Sequence, residues 1–73
     1  MTRLGNISGQ EAVKAFRKAG WQVRGQSGSH VMLTKAGARA TLSIPLHSEL
    51  STGTLRGLIR LSGMTVEDFV SLL

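Results

Sequence analysis

Three short runs that alternate apolar and polar residues place the strongest constraint on how this chain folds. The runs are Trp21–Arg24, His30–Thr34 and Ala40–Ile44. Successive side chains of a strand point to opposite faces, so each run would have one apolar and one polar face. Segments 25–28 and 36–37 contain glycine and predict the turns between the runs. The pattern predicts a three-stranded antiparallel sheet. Its apolar face would contain Trp21, Val23, Val31, Leu33, Leu42 and Ile44.

A helix is predicted before the first strand. Ser8 and Glu11 have the S-x-x-E spacing of a capping box, so the helix should begin at about residue 9. Apolar residues then follow at helical spacing, and Gly20 is placed to end the helix.

Two further helices are predicted after the third strand, which Pro45 should end. Ser51 or Thr52 can cap the first of them and Gly63 should stop it, while Thr65 can cap a short terminal helix. The predicted order is α-β-β-β-α-α, an α+β fold with the helices on one face of the sheet. We expect one domain over residues 1–73.

The positive charge is concentrated in the first part of the chain. The chain has 73 residues and a formal charge of +5, and residues 1–45 hold seven of the nine Lys and Arg but only one of the four acidic residues. A basic domain favours a polyanion or an acidic protein as partner, although a basic surface can equally serve solubility. A chain of this size buries only about 60% of its unfolded surface, so a partner could add to its stability.

Composition also limits the environment and the chemistry. The chain has no cysteine, which removes disulfides and thiolate metal sites and suits a reducing cytoplasm. No apolar run approaches the roughly 20 residues of a membrane span, and the first residues lack the apolar core of a signal peptide. We therefore expect a soluble cytoplasmic protein.

His30 and His47 are the two residues best suited to proton transfer near neutral pH. The sequence contains no G-x-S-x-G elbow and no phosphate-binding glycine loop of Walker or Rossmann form. His47 and Glu49 could hold a metal together with His30 only if the fold brought the three together, so we expect neither metal nor cofactor. A metal-free acid–base site beside basic residues is the smallest set of groups that can cleave RNA through its own 2′-hydroxyl.

The predicted sheet places His30 on the open polar face. Arg24, Lys35 and Arg39 could stabilise the charge on phosphorus during cleavage. Each of them, and His30 itself, could also be an ordinary surface residue.

Several segments resemble the HicA toxins of bacterial type II toxin–antitoxin modules. They are Gly28-Ser29-His30-Val31, Ile44–Leu50, Gly53–Arg60 and Gly63–Phe69. The resemblance implies a fold like a double-stranded RNA-binding domain, a ribosome-independent mRNA endoribonuclease activity and neutralisation by a HicB antitoxin. It implies that His30 is the catalytic residue.

The residues around His30 have both structural and functional interpretations. Gly28 and Ser29 belong to the motif and are candidate substrate contacts, although Gly28 could simply permit a tight turn and Ser29 could satisfy a strand edge. His47 would mainly fix the loop before the second helix by hydrogen bonding, with substrate contact as the alternative. Trp21 is expected in the core.

Two other functions are compatible with the sequence. A non-catalytic RNA-binding module would use the same basic surface without needing His30. A protein-interaction domain would use that surface to bind an acidic partner.

Overall fold

A computed structural model of the chain describes residues 4–73. The elements follow the predicted order. They are α1 (Gly9–Lys18), β1 (Gln22–Ser27), β2 (His30–Thr34), β3 (Leu42–Pro45), α2 (Thr52–Ser62) and α3 (Val66–Val70). The strands form an antiparallel sheet in the order β1-β2-β3, which confirms the predicted α+β fold.

Local capping explains where the helices begin and end. Ser8 and Glu11 form the predicted capping box at the start of α1, with Ser8 N donating to Glu11 Oε1 at 2.9 Å and Glu11 N to Ser8 Oγ at 3.1 Å. Ser51 and Thr65 accept from backbone N–H groups of α2 and α3 in the same way. Gly63 ends α2 with a φ of +80°, a left-handed conformation that favours glycine.

The core lies between the helices and one face of β2 and β3. Val31, Leu33, Leu42 and Ile44 are buried on that face, as the alternation predicts. The helices contribute the rest of the core, including an aromatic pair of Phe16 and Phe69 with ring centroids 4.9 Å apart. Trp21 is also buried, as predicted. The opposite face of the sheet is left open.

The first strand differs from its prediction. All six residues of β1 are exposed, including Val23, because β1 lies at the edge of the sheet and the helices do not cover it. Trp21 precedes the strand. Gly25 and Gln26 belong to β1 rather than to a turn, and the connection to β2 is only Gly28-Ser29.

The third strand is shorter than predicted. Ala40 and Thr41 lie outside it, in the loop that follows β2. Pro45 is its last residue, in agreement with the sequence. None of the helices in residues 4–73 combines the length and apolar character needed to cross a membrane.

Candidate active site

His30 is the first residue of β2 and is exposed on the open face of the sheet. The next residue, Val31, is buried against the helices, so alternation directs the histidine to the opposite side. His30 pairs with Ser27 of β1 and with Pro45 of β3. The histidine is therefore flanked on both sides, at one end of the sheet, and its ring is open to solvent.

The turn before His30 sets its position. Gly28 has a φ of +59°, as the first residue of a two-residue type II′ hairpin turn requires. The side chain of Gln26 supports the turn, since its Nε2 donates to the carbonyl oxygen of Gly28 at 3.1 Å. A hairpin connection this short fixes the register of the two strands, so the Gly28-Ser29 turn determines which residues face His30.

The loop that contains His47 is bound to the same end of the sheet. Leu46 N donates to Ser29 O at 2.6 Å, and Gly9 N donates to His47 O at 2.9 Å. A third bond is made just before α1, where the carbonyl oxygen of Ile7 accepts from the N–H of Leu50 at 2.8 Å. These bonds hold the loop between the start of α1 and the turn before His30. The sequence predicted that His47 would mainly fix this loop by hydrogen bonding; within the described residues, the bonds that hold the loop are made by backbone groups, including the carbonyl oxygen of His47.

Gly9 allows this close packing. A Cβ on Gly9 would overlap the carbonyl oxygen of Pro45 and lie 2.8 Å from the Cα of Leu46. Real Cβ atoms do not approach other atoms so closely, so only glycine fits at this position. The first turn of α1 thus packs directly on the chain that leads to His47.

Two of the three predicted basic residues lie away from His30. Lys35 and Arg39 follow the far end of β2, and the four residue steps from His30 to Thr34 span about 14 Å of strand. The Cε of Lys35 lies 3.2 Å from the position that a Cβ on Gly20 would take, so this side chain lies over the end of α1. Two of the three basic candidates are therefore not beside the histidine.

Arg24 is closer to His30 but occupies an irregular position. It lies at a β-bulge, because Val23 and Gly25 pair with consecutive residues of β2 and Arg24 pairs with none. Bulges bend a strand and redirect a side chain. The simple alternation of the sequence therefore does not determine the direction of Arg24.

Two neighbours of His30 were not predicted from the sequence. Ser27 lies directly opposite it on β1, where facing Cβ atoms are roughly 4.5–5.5 Å apart, and Pro45 lies opposite on β3. Because the sequence predicted a turn over Gly25–Gly28, Ser27 was not expected to pair with His30. A two-residue Gly-X hairpin at Gly28-Ser29 would have indicated it.

A metal site in a protein needs several ligating side chains close together. Within residues 4–73, the chain contains no group of three or more histidine, cysteine, aspartate or glutamate residues arranged to hold a metal ion. At the open face, the exposed His30 supplies an imidazole that can accept or donate a proton.

Comparisons with known proteins identify the family. The chain matches the family described as the HicA toxin of bacterial toxin–antitoxin over residues 9–64. The chain belongs to the HicA toxin family. The family match extends from the start of α1 to just beyond α2 and contains every candidate site residue, including His30 and His47.

A solved relative supports the HicA assignment. A chain of a toxin–antitoxin complex from Streptococcus pneumoniae is 37% identical in sequence, with a TM-score of 0.69. The alignment covers 80% of this HicA chain and 98% of that one. No curated protein matches the chain.

Proposed function

We propose that this HicA-family chain is a toxin that cleaves mRNA, with His30 transferring protons at the scissile phosphate. The exposed imidazole at the first position of β2 supports the proposal most strongly, because it lies on the open face within the matched family region. Its two strand neighbours, Ser27 and Pro45, flank it on either side, and the histidine remains exposed.

The proposed reaction uses the 2′-hydroxyl of RNA as the nucleophile. The 2′-oxygen forms a bond to the adjacent phosphorus while the bond from phosphorus to the 5′-oxygen of the next nucleotide breaks. One proton leaves the 2′-hydroxyl, and one is delivered to the departing 5′-oxygen. His30 carries out one of these transfers, which requires an imidazole within hydrogen-bond reach of the reacting oxygen. The products are a cyclic phosphate and a free 5′-hydroxyl.

The residues near His30 would position the substrate. The Gly28-Ser29 turn and His47 lie at the same end of the sheet as His30, so they are placed to contact the nucleotides on either side of the cleaved bond. Arg24 is the nearest of the predicted cationic residues along the sheet. Lys35 and Arg39 lie beyond the far end of β2 and would contact more distant phosphates.

The partner in the solved relative suggests how the toxin is controlled. Because that relative is described as part of a toxin–antitoxin complex, we propose a HicB-like antitoxin for this chain. An acidic antitoxin would match the basic region, since residues 12–48 contain six Lys and Arg and no Asp or Glu.

The decisive experiment compares the wild-type chain with His30→Ala. We expect RNA cleavage to fall by roughly 10²–10⁴-fold, the usual contribution of general acid–base catalysis. The thermal transition should be nearly unchanged, because the exposed histidine contributes little packing. Growth after induced expression should stop with wild type and continue with the variant.

His47→Ala is a matched control, because it removes the other exposed histidine from the same end of the sheet. We expect weaker substrate binding and a smaller loss of cleavage than with His30→Ala. Full activity of His30→Ala would remove His30 from the mechanism. If neither wild type nor variant cleaves RNA but both bind it, the chain is an RNA-binding module instead.

A further inference from the structure

The outer edge of β1 is open along its whole length. β1 lies at one edge of the sheet, and all six of its residues are exposed. The other edge strand, β3, has only four residues, ends in Pro45 and packs against α1 and α2. Short length and proline are common protections of a sheet edge, whereas a longer exposed edge offers unpaired N–H and C=O groups to another strand.

A pocket of about 490 Å³ adjoins the start of this edge. Arg17, Gly20, Trp21, Gln22 and Val23 line it. Val23 is one of the few large hydrophobic residues that are exposed, with 46% of its surface accessible. The edge therefore combines free backbone groups with an apolar contact and a recess, which together suit an extended peptide.

The charges around the edge indicate the kind of peptide. Arg17 lines the pocket, Lys35 lies over Gly20 beside it, and Arg24 lies within the strand. No acidic residue occurs between positions 12 and 48. An acidic segment would meet complementary charge at the start and in the middle of the edge, which favours rapid association.

A second copy of this chain fits the edge poorly. Antiparallel pairing of two β1 strands centred on Arg24 would bring their Arg24 residues together. Like charges directly opposite each other are destabilising, whereas an acidic segment would place opposite charges there.

We infer that an acidic extended segment of the antitoxin adds to the outer edge of β1 as a fourth strand, with one side chain in the pocket beside Trp21. The inference rests on the proposed toxin function and adds to it a defined binding mode. In this mode main-chain hydrogen bonds supply affinity, and the side chains at alternate positions supply specificity. The added strand would extend the sheet beside Ser27 and so border the His30 site.

Amide hydrogen exchange of the toxin, alone and with a HicB-like antitoxin, tests the inference. In the free chain, the β1 amides that point toward β2 should exchange slowly and those on the outer edge rapidly. In the complex we expect the outer-edge amides of β1 to exchange at least tenfold more slowly. The fluorescence of Trp21, the single tryptophan of the chain, should change at the same toxin-to-antitoxin ratio as the amide protection.

A pair of variants separates the edge from the rest of the surface. Val23→Glu places a negative charge on the edge, whereas Leu61→Glu makes the same kind of change at another exposed hydrophobic residue, on α2. We expect Val23→Glu to lower the affinity for the antitoxin at least tenfold. Leu61→Glu should change that affinity less than twofold. Both variants should retain RNA cleavage, since neither residue belongs to the candidate site.

Each other outcome would overturn the inference. A complex in which the outer-edge amides of β1 still exchange rapidly would leave the toxin function intact but reject strand addition. Protection that RNA alone produces would assign the edge to nucleic acid, and protection that rises with toxin concentration would assign it to a second copy. If the antitoxin does not bind, the proposed control of the toxin fails as well.

Discussion

Single glycines control the geometry of the candidate site, and Gly9 is the most restricted of them. Gly9→Ala would force the first turn of α1 away from Pro45 and Leu46. Overpacking of this kind costs about 1–3 kcal/mol, which for a domain of this size corresponds to roughly 4–8 °C in Tm per kcal/mol. We expect thermal unfolding to show a lower Tm, together with weaker RNA cleavage because the His47 loop must shift.

Gly53→Ala provides the contrast to Gly9→Ala. Gly53 lies in α2, and a Cβ there would meet no atom within 4 Å. Alanine is favoured over glycine in a helix by roughly 0.5–1 kcal/mol, so this variant should unfold at a slightly higher temperature. A similar loss of stability in both variants would show that the Gly9 contact is not the cause.

At the scale of elements, the β1–β2 hairpin depends on the left-handed conformation of Gly28. Gly28→Ala should cost about 1–2 kcal/mol, because an L-residue is strained at this φ. Gly28→Asn should recover part of the loss, since asparagine tolerates this region. Gly25→Ala is the control in the same strand, where φ is not positive and a Cβ has open space. Chemical denaturation of the three variants measures the differences.

How far the sequence predicts each element depends on how local its signals are. The capping residues Ser8, Ser51 and Thr65 act within three positions, so the starts of the helices were predictable. The burial of Val31 and Leu33 followed from alternation in the central strand. The exposure of Val23 did not, because alternation cannot distinguish an edge strand from one that helices cover.

Some positions in the candidate site were predictable from the sequence and others were not. The exposed position of His30 follows from the residues next to it in β2. The separation of Lys35 and Arg39 from the histidine depends on which end of the sheet each loop occupies. Arg24 lies at a bulge that shifts the register, and no local pattern in the sequence marks that bulge. Positions that depend on strand pairing were thus the ones that the sequence left undetermined.

At the scale of the whole molecule, the chain offers no evident set of metal ligands within residues 4–73. If the 2′-hydroxyl is the nucleophile, cleavage should continue in EDTA, and RNA with a 2′-deoxy substitution at the scissile nucleotide should be inert. Gel analysis of labelled substrates with and without EDTA checks both points. Cleavage that stops in EDTA and resumes with zinc or magnesium would contradict the proposed chemistry.

The uneven charge of the whole molecule also predicts how the antitoxin binds. We expect the antitoxin to cover the open face around His30, with acidic residues toward the basic region of the toxin. Electrostatic steering acts mainly on association, so added salt should slow complex formation more than it speeds dissociation. Stopped-flow mixing at several salt concentrations measures both rates. Protection confined to the helical side, with His30 still accessible, would point to inhibition by conformational change.

The bonds from Gly9 to His47 and from Leu50 to Ile7 join segments that are about forty positions apart, and such contacts form only after the intervening chain is available. During translation, the surroundings of His30 therefore cannot be completed until Leu50 has left the ribosome. If RNA cleavage needs these surroundings, as the proposed role of His30 requires, a nascent chain gains activity only after this closure.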